Sequence, residues 1–230
     1  MTKNSVVRLG VVGSSGGSAL ASASECLISA GKSIEWVIIT DRECGIEAWA
    51  KSKGHVVHRL DYIDADSFSS EACEIFCDEG CQDVLLFYTR RIASPLIERL
   101  RVRNIHPALL PSFKGLHGVR DAVEAGVRLF GATLHHVDAG LDTGKIVAQV
   151  SAPLPINYSH SKANYLSFLQ KVWLTLVWFE QTTAPQKVPA FASCGPGVAL
   201  GCPGIADDRL RTSYVEWLMN NQDGIKEKLG

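Results

Sequence analysis

The sequence predicts an α/β protein whose mostly parallel sheet is covered by helices on both faces. In the first half of the 230-residue chain, short apolar runs alternate with amphipathic stretches, which is the pattern of βαβ units. In the second half, two β-rich runs at residues 128–137 and 145–154 flank a short polar loop. A loop of this kind fits either an ordered functional loop or an antiparallel return. We therefore expect a Rossmann-like sheet with an antiparallel addition.

Each element follows from its own pattern. Runs of Val, Ile and Leu predict buried strands, and stretches with one apolar face predict helices. The predicted elements in chain order are strand 6–12, helix 18–30, strand 36–40, helix 45–53, strand 56–60, helix 67–80, strand 83–88, helix 96–101, strand 102–106, helix 116–126, strands 128–137 and 145–154, and helices 164–179 and 209–221. Residues 181–207, rich in Pro, Gly and Ala, are expected to be irregular. We expect one catalytic domain at residues 1–184, with a C-terminal extension (a loop plus a helix) at 185–230 packed on it.

The composition narrows the class of function. The net charge is −1, so nothing favours binding to nucleic acid or to an anionic membrane. No apolar stretch approaches the length of a membrane span, and the N-terminus has no signal-peptide pattern. Seven cysteines, an odd number, argue for reduced thiols in the cytosol. We expect a cytoplasmic protein with small-molecule partners, and a homodimer stays open.

Three cysteines, Cys73, Cys77 and Cys81, recur at every fourth residue and would share one stripe of a helix. Metal ligation is one interpretation, but this spacing lacks the second pair that a zinc site usually has. A buried apolar face is favoured, because a free cysteine packs like a small hydrophobe. No metal site is expected.

The first candidate site is the pair Asn104 and His106 near the end of the predicted strand 102–106. Side chains two residues apart on a strand share a face, and Pro107 marks the strand's end. Open α/β sheets bind ligands at the carboxyl ends of their strands. An amide beside an imidazole can hold a developing oxyanion, and histidine can also carry a proton. From the residues alone, a pair that only satisfies the loop backbone is an equally good interpretation.

The second candidate is Asp142, which lies between Gly140 and Gly144. Flanking glycines allow the backbone to adopt positive φ and to approach a ligand closely. A carboxylate held there could orient His106 and relay protons through water. Taken alone, the motif is better explained by an Asx-type turn.

The third candidate is the loop at residues 13–18, Gly-Ser-Ser-Gly-Gly-Ser, between the first strand and the first helix. Backbone N–H groups at a helix N-terminus bind anions, so a phosphate or carboxylate cradle is favoured. The loop lacks both the dinucleotide and the P-loop spacing. Asp41, after the second strand, resembles a ribose-binding acid, and this keeps a nucleotide-binding module open as an alternative.

Three motifs together resemble those of the formyltransferase superfamily, and within it the phosphoribosylglycinamide (GAR) formyltransferases. They are Asn-Ile-His-Pro-Ala-Leu-Leu-Pro from residue 104, Gly-Ala-Thr-Leu-His from residue 131 and Gly-Leu-Asp-Thr-Gly from residue 140. The resemblance spans residues 6–180. It implies that Asn104 and His106 bind the oxyanion of a tetrahedral intermediate and that Asp142 supports His106 and manages proton transfers. It also implies 10-formyltetrahydrofolate as the formyl donor and an amine as the acceptor, without a metal.

The same resemblance assigns the pocket residues. The folate pocket would be lined by Tyr88, Arg90, Arg91, Ile92, Ala93, Ala139, Gly140 and Leu141. The acceptor would be bound by Ser15, Gly16, Gly17, Ser18, Gln170 and Lys171. His117 and His135 match positions near the catalytic trio.

Several departures from the family pattern concern the acceptor. The phosphate loop commonly reads Gly-x-Gly-Ser-Asn, Tyr88 replaces a glycine, and Gln170-Lys171 replace a Glu-His pair. GAR is therefore the default acceptor, with a hydroxylated ornithine or an amino sugar as alternatives. A formylfolate hydrolase ranks lower, and a transfer-RNA acceptor is weak because the chain has no excess of basic residues.

Overall fold

The computed structural model describes residues 6–155, 158–185, 192–193 and 198–221. In chain order the elements are β1 (Val7–Gly13), α1 (Ser18–Ser29), β2 (Ile34–Thr40), α2 (Gly45–Ser52), β3 (Val56–Arg59), α3 (Ala65–Asp78), β4 (Asp83–Phe87), α4 (Leu96–Arg99), β5 (Arg101–His106), α5 (Gly118–Glu124), β6 (Leu129–His136), β7 (Ile146–Pro153), α6 (His160–Thr183), β8 (Leu200–Cys202) and α7 (Asp208–Asn220). The strands form one sheet in the order β3-β2-β1-β4-β5-β6-β7-β8.

The sheet has a parallel part and an antiparallel part. The strands β1 to β5 pair in parallel, while β6, β7 and β8 are added antiparallel. One core joins the sheet to α1, α2, α6 and α7, and a second core joins the opposite face to α3 and α4. The prediction of a mostly parallel sheet with helices on both faces and an antiparallel return is confirmed.

The C-terminal part differs most from the sequence prediction. The helix α6 runs from His160 to Thr183, several residues beyond the predicted 164–179 at each end. At its start the Ser159 side chain accepts the Lys162 N–H at 3.2 Å, and this cap sets the true beginning of the helix. The expectation that residues 181–207 are all irregular was wrong, because β8 pairs there with β7.

The extension is only partly described. The helix α7 packs against α1, and the Tyr214 hydroxyl donates to the Leu169 carbonyl of α6 at 3.3 Å. Residues 186–191, 194–197 and 222–230 of the predicted extension lie outside the described residues. The boundary at residue 184 stays a prediction. None of the described helices is long and apolar enough to cross a membrane.

The predicted stripe of three buried cysteines was wrong as a whole, because only Cys73 lies on the buried face of α3. Cys73 and Cys81 are buried, but Cys77 is exposed. A step of four residues advances about 40° beyond a full helical turn, so Cys77 leaves the buried face of α3. Cys81 follows the helix and is buried separately in the core against α3.

Candidate active site

The oxyanion pair lies at the carboxyl end of β5. Asn104 lies opposite Leu86 of β4 and His135 of β6 in the strand register. Asn104 and His106 point to the same face, because Ile105 between them belongs to the core on the other side. His106 is 2% exposed, so its ring is shielded from water.

The carboxylate of the site comes from the loop between β6 and β7. Asp142 has a left-handed backbone, with φ of 50°. Its Oδ2 lies 3.3 Å from His106 Nδ1 and its Oδ1 lies 3.5 Å from His135 Nε2. It also accepts the Gly115 N–H at 2.8 Å. The structure therefore brings the three sequence-predicted catalytic residues together from separate segments.

A glycine fixes the position of this loop. A Cβ atom on Gly144 would overlap the backbone carbonyl oxygen of His136. No other residue fits without moving the chain. Gly144 thus has a packing role, and the expectation of positive φ at the flanking glycines was wrong, because Asp142 itself has the left-handed backbone while Gly140 and Gly144 do not.

His135 lies between the Asn104 amide and the Asp142 carboxylate. Its Nδ1 lies 2.8 Å from the His136 carbonyl oxygen, and its Nε2 lies 3.4 Å from Asn104 Nδ2. Burial lowers the pKa of His135, so the ring is neutral at pH 7. Because a carbonyl can only accept, Nδ1 carries the proton and Nε2 accepts from the Asn104 amide. His135 therefore orients Asn104 and leaves its second amide hydrogen for a ligand.

The second nitrogen of His106 faces an oxygen as well. Nε2 lies 2.6 Å from the carbonyl oxygen of Phe113, a residue with a left-handed backbone at φ 53°. Gly118 keeps this arrangement open, because a Cβ there would lie 3.0 Å from Nε2. The ring is thus positioned to donate hydrogen bonds to oxygen atoms at both nitrogens, which is the capacity that an oxyanion site requires.

The loop between β1 and α1 carries unpaired donors. Within the described residues, no acceptor is bonded to the backbone N–H groups of Ser15, Gly16, Gly17 or Ser18. Gly17 caps α1 in a left-handed conformation with φ of 71°. Gly16 packs directly against Gly45 at the start of α2. The loop is therefore held in shape while its N–H groups stay available for an anion.

The predicted folate segment follows β4. Ile92 and Ala93 are buried, and the Ala93 N–H donates to Ser69 Oγ of α3 at 2.8 Å. Arg91 is exposed. Tyr88 stacks on Phe68, with ring centroids 5.4 Å apart.

The predicted opposite wall lies on the β6–β7 loop. Ala139, Gly140 and Leu141 are all exposed there. Leu141 lies beside Gly115, which donates to the Asp142 carboxylate. The predicted wall is thus adjacent to the predicted trio.

The helix α6 does not bring both of its predicted residues to the surface. Gln170 is 0% exposed, and its amide donates to the Phe130 carbonyl at 3.3 Å, so its side chain is held in the core. Lys171 is half-buried, and burial lowers its pKa. His117 is exposed and immediately precedes α5. Contact of Lys171 or His117 with a ligand stays a prediction.

Two partners of the trio carried no sequence signal. The Phe113 carbonyl and the Gly115 N–H are backbone groups, which any residue would supply. Gly115 has φ of 95°, so a glycine there indicates a sharp turn, but it does not indicate which backbone groups face the site.

The carboxylate of Asp41 is fully buried and paired with Arg42 and Arg90. This pairing argues against the interpretation of Asp41 as a ribose-binding acid.

Among the described residues, no three His, Cys, Asp or Glu side chains lie close enough together to hold a metal ion.

Comparison with known proteins points to one family. A family model described as formyl transferase matches residues 68–170. A phosphoribosylglycinamide formyltransferase of Mycobacterium tuberculosis is 59% identical over 54 residues, which cover 24% of this chain and 25% of that protein. That of Bacillus subtilis is 47% identical over 64 residues, covering 27% and 33%. The matched stretches thus span a quarter to a third of these curated relatives.

Solved structures match over a longer range. The glycinamide ribonucleotide transformylase 1 of Symbiobacterium toebii is 27% identical, with a TM-score of 0.71, over 80% of this chain and 90% of that chain. The similarity therefore extends well beyond the residues that the family model matches.

Proposed function

Because this chain belongs to the formyltransferase superfamily, we propose that it transfers a formyl group from 10-formyltetrahydrofolate to an amine. The default acceptor is phosphoribosylglycinamide, an intermediate of purine synthesis. The observation that carries the proposal is the convergence of Asn104, His106 and Asp142 at one end of β5.

The residues act in sequence on the reacting carbonyl. The acceptor amine attacks the formyl carbon, and the carbonyl oxygen becomes an oxyanion. Asn104 donates its free amide hydrogen to that oxygen, and His106 donates a ring N–H after exchanging the Phe113 carbonyl for it. Asp142 stabilises the charged imidazole and, with water, moves the proton from the attacking amine to the departing folate nitrogen. The bond from carbon to that nitrogen then breaks and the formylated amine is left.

The pocket residues keep their predicted roles in this proposal. Ile92, Ala93 and residues 139–141 line the folate pocket, with Arg91 at its mouth. The free N–H groups of residues 15–18 bind the acceptor's phosphate. The catalytic unit is residues 1–184, it works in the cytoplasm without a metal, and it is free to form a homodimer.

Two features of the chain bear on the acceptor. The unpaired N–H groups of the β1–α1 loop favour an acceptor with an anionic group, which GAR has, over a neutral amino sugar. A hydroxylated ornithine remains the second candidate, since α6 carries the half-buried Lys171 rather than an acid at the predicted acceptor position.

The experiment is an acceptor screen with the purified chain. The protein is incubated with 10-formyltetrahydrofolate and GAR, hydroxyornithine, an amino sugar or no acceptor, and release of tetrahydrofolate is followed by absorbance. We expect release that depends on the acceptor and is fastest with GAR. Release at the same rate without any acceptor would indicate a hydrolase instead. No release with any acceptor, together with stabilisation by NAD but not by folates, would refute formyl transfer.

A further inference from the structure

A pair of arginines lies side by side at the carboxyl edge of the sheet, apart from the catalytic trio. Both are held by Asp41, whose side chain is 0% exposed. Arg42 donates to it twice, from Nε at 2.9 Å and from Nη2 at 2.8 Å. Arg90 Nε lies 3.0 Å from the same carboxylate. Two guanidinium groups are thus fixed on one acid.

The charges of this cluster do not cancel. One carboxylate neutralises one guanidinium, and the exposed Arg91 adds a further positive charge beside the pair. Glu43, two residues after the buried acid, is 89% exposed and lies 3.9 Å from Arg59. The single buried carboxylate of Asp41 cancels the charge of only one of the two arginines. The second is an excess cation beside the proposed pocket.

The arginines are also preorganised. The guanidinium carbon of Arg90 lies 4.6 Å from the centre of the Tyr62 ring, a cation–π contact. The Tyr62 hydroxyl donates to the Arg91 carbonyl at 3.1 Å. Burial and the neighbouring Asp41 raise the pKa of Tyr88, so its hydroxyl stays protonated. The side chains of Arg42 and Arg90 are 47% and 38% exposed, so both are accessible from solvent.

The cluster lies next to the strand that ends in the anion loop. β1 pairs with β2 on one side and with β4 on the other. Asp41 and Tyr88, the first residues after β2 and β4, therefore leave the sheet beside Ser14. The arginines lie on the side of the folate-pocket segment, while the helix N-terminus of the loop lies on the opposite face.

We propose that Arg42 and Arg90, clamped by Asp41, form a binding site for a phosphate or carboxylate group of a substrate, separate from the N–H groups of residues 15–18. The planar fork of a guanidinium matches both anions with two parallel hydrogen bonds. Two sources supply this chemistry: the glutamyl carboxylates of the folate donor, and an additional anionic group on the acceptor.

A titration tests binding without reference to catalysis. The Nε–H resonances of the arginines are followed by NMR while inorganic phosphate is added to the intact protein. We expect saturable shifts at Arg42 and Arg90, but none at Arg8. Arg8 is the matched control, because it is 43% exposed and bonds Glu35 at 2.8 Å at the other end of the sheet. Equal shifts at all three arginines, or none, would overturn the proposal.

A kinetic experiment identifies the source, and this arm rests on the proposed function. Arg90→Gln and Arg42→Gln should each raise KM for one substrate about tenfold or more, with kcat nearly unchanged. A KM effect that grows with the number of glutamyl groups on the donor assigns the site to folate, and an effect on KM for the acceptor assigns it to the amine. Arg8→Gln should leave both constants unchanged. If the protein transfers formyl groups but neither KM changes, the site is refuted while the function stands.

Discussion

Replacing Asp142 by asparagine removes one charge and little else. The amide oxygen can still accept the Gly115 N–H, and asparagine tolerates the left-handed backbone at this position better than most residues. A positive charge on the His106 ring and the negative charge of the Asp142 carboxylate, 3.3 Å apart, attract each other by roughly 5 kcal/mol at an effective dielectric constant of about 20. Because the proposed mechanism needs the charged imidazole that faces the oxyanion, losing half or more of this energy should lower kcat about 10²- to 10³-fold.

The assay compares single-turnover rates of formyl transfer in the wild type and Asp142→Asn. Asp138→Asn is the matched control, since Asp138 is in the same loop but accepts from Gly140 and Thr143 instead of facing His106. We expect the control to keep its rate within a few-fold. Thermal unfolding should show that both variants stay folded. A rate for Asp142→Asn within threefold of the wild type would refute the charge argument.

Two further predictions concern stability and loop geometry. Glu47 is bonded to Arg59, and this contact, with others, lowers the pKa of Glu47 to about 2. Its stabilisation is therefore complete above the ordinary value of 4.5 and is lost as the pH falls towards 2. Glu47→Gln should cost about 3 kcal/mol at pH 7, and urea unfolding should show the difference shrinking below pH 4.5; a difference independent of pH would contradict this. Gly144→Ala should move the catalytic loop away from the His136 carbonyl and lower kcat at least about 10²-fold. A Cβ on Gly126 would meet open space, but the residue has a positive φ. Gly126→Ala should therefore lose only about 1–2 kcal/mol of stability and keep its rate. Equal rates in the two variants would exclude the steric explanation.

The parallel half of the fold could be predicted because its strands are short, apolar and separated by amphipathic helices. Each signal there is local, so the predicted and observed bounds of β1, β2 and β4 differ by two residues or fewer. The short strand β8 had no such signal. It contains three residues, one of them Gly201, and its extended conformation depends on pairing with β7. Tertiary contacts outweighed local propensity at this point.

The convergence of Asn104, His106 and Asp142 could be predicted only with the help of the resemblance. Periodicity places Asn104 and His106 on one face, but it cannot bring in a carboxylate from a loop more than thirty residues later. The contacts made by Gly115 and Phe113 were out of reach for another reason, because backbone groups have no letter in the sequence. The placement of Gln170 in the core shows the complementary failure. On a helix as apolar as α6, a polar residue does not mark the exposed face.

The order of the strands explains why these parts form one site. Residues 13–18 follow β1, and Asn104 and His106 end β5, with only β4 between them. Neighbouring strands are about 4.8 Å apart, so the anion loop and the oxyanion pair are separated by roughly 10 Å at the carboxyl edge. An acceptor bound by both must therefore hold its anionic group about that far from its amine. Tyr88 lies at the end of the intervening strand and the arginine pair lies beside it. Tyr88, which departs from the family pattern, and the arginine pair thus border the path that any such acceptor must span, while Asn104, His106 and Asp142 match that pattern.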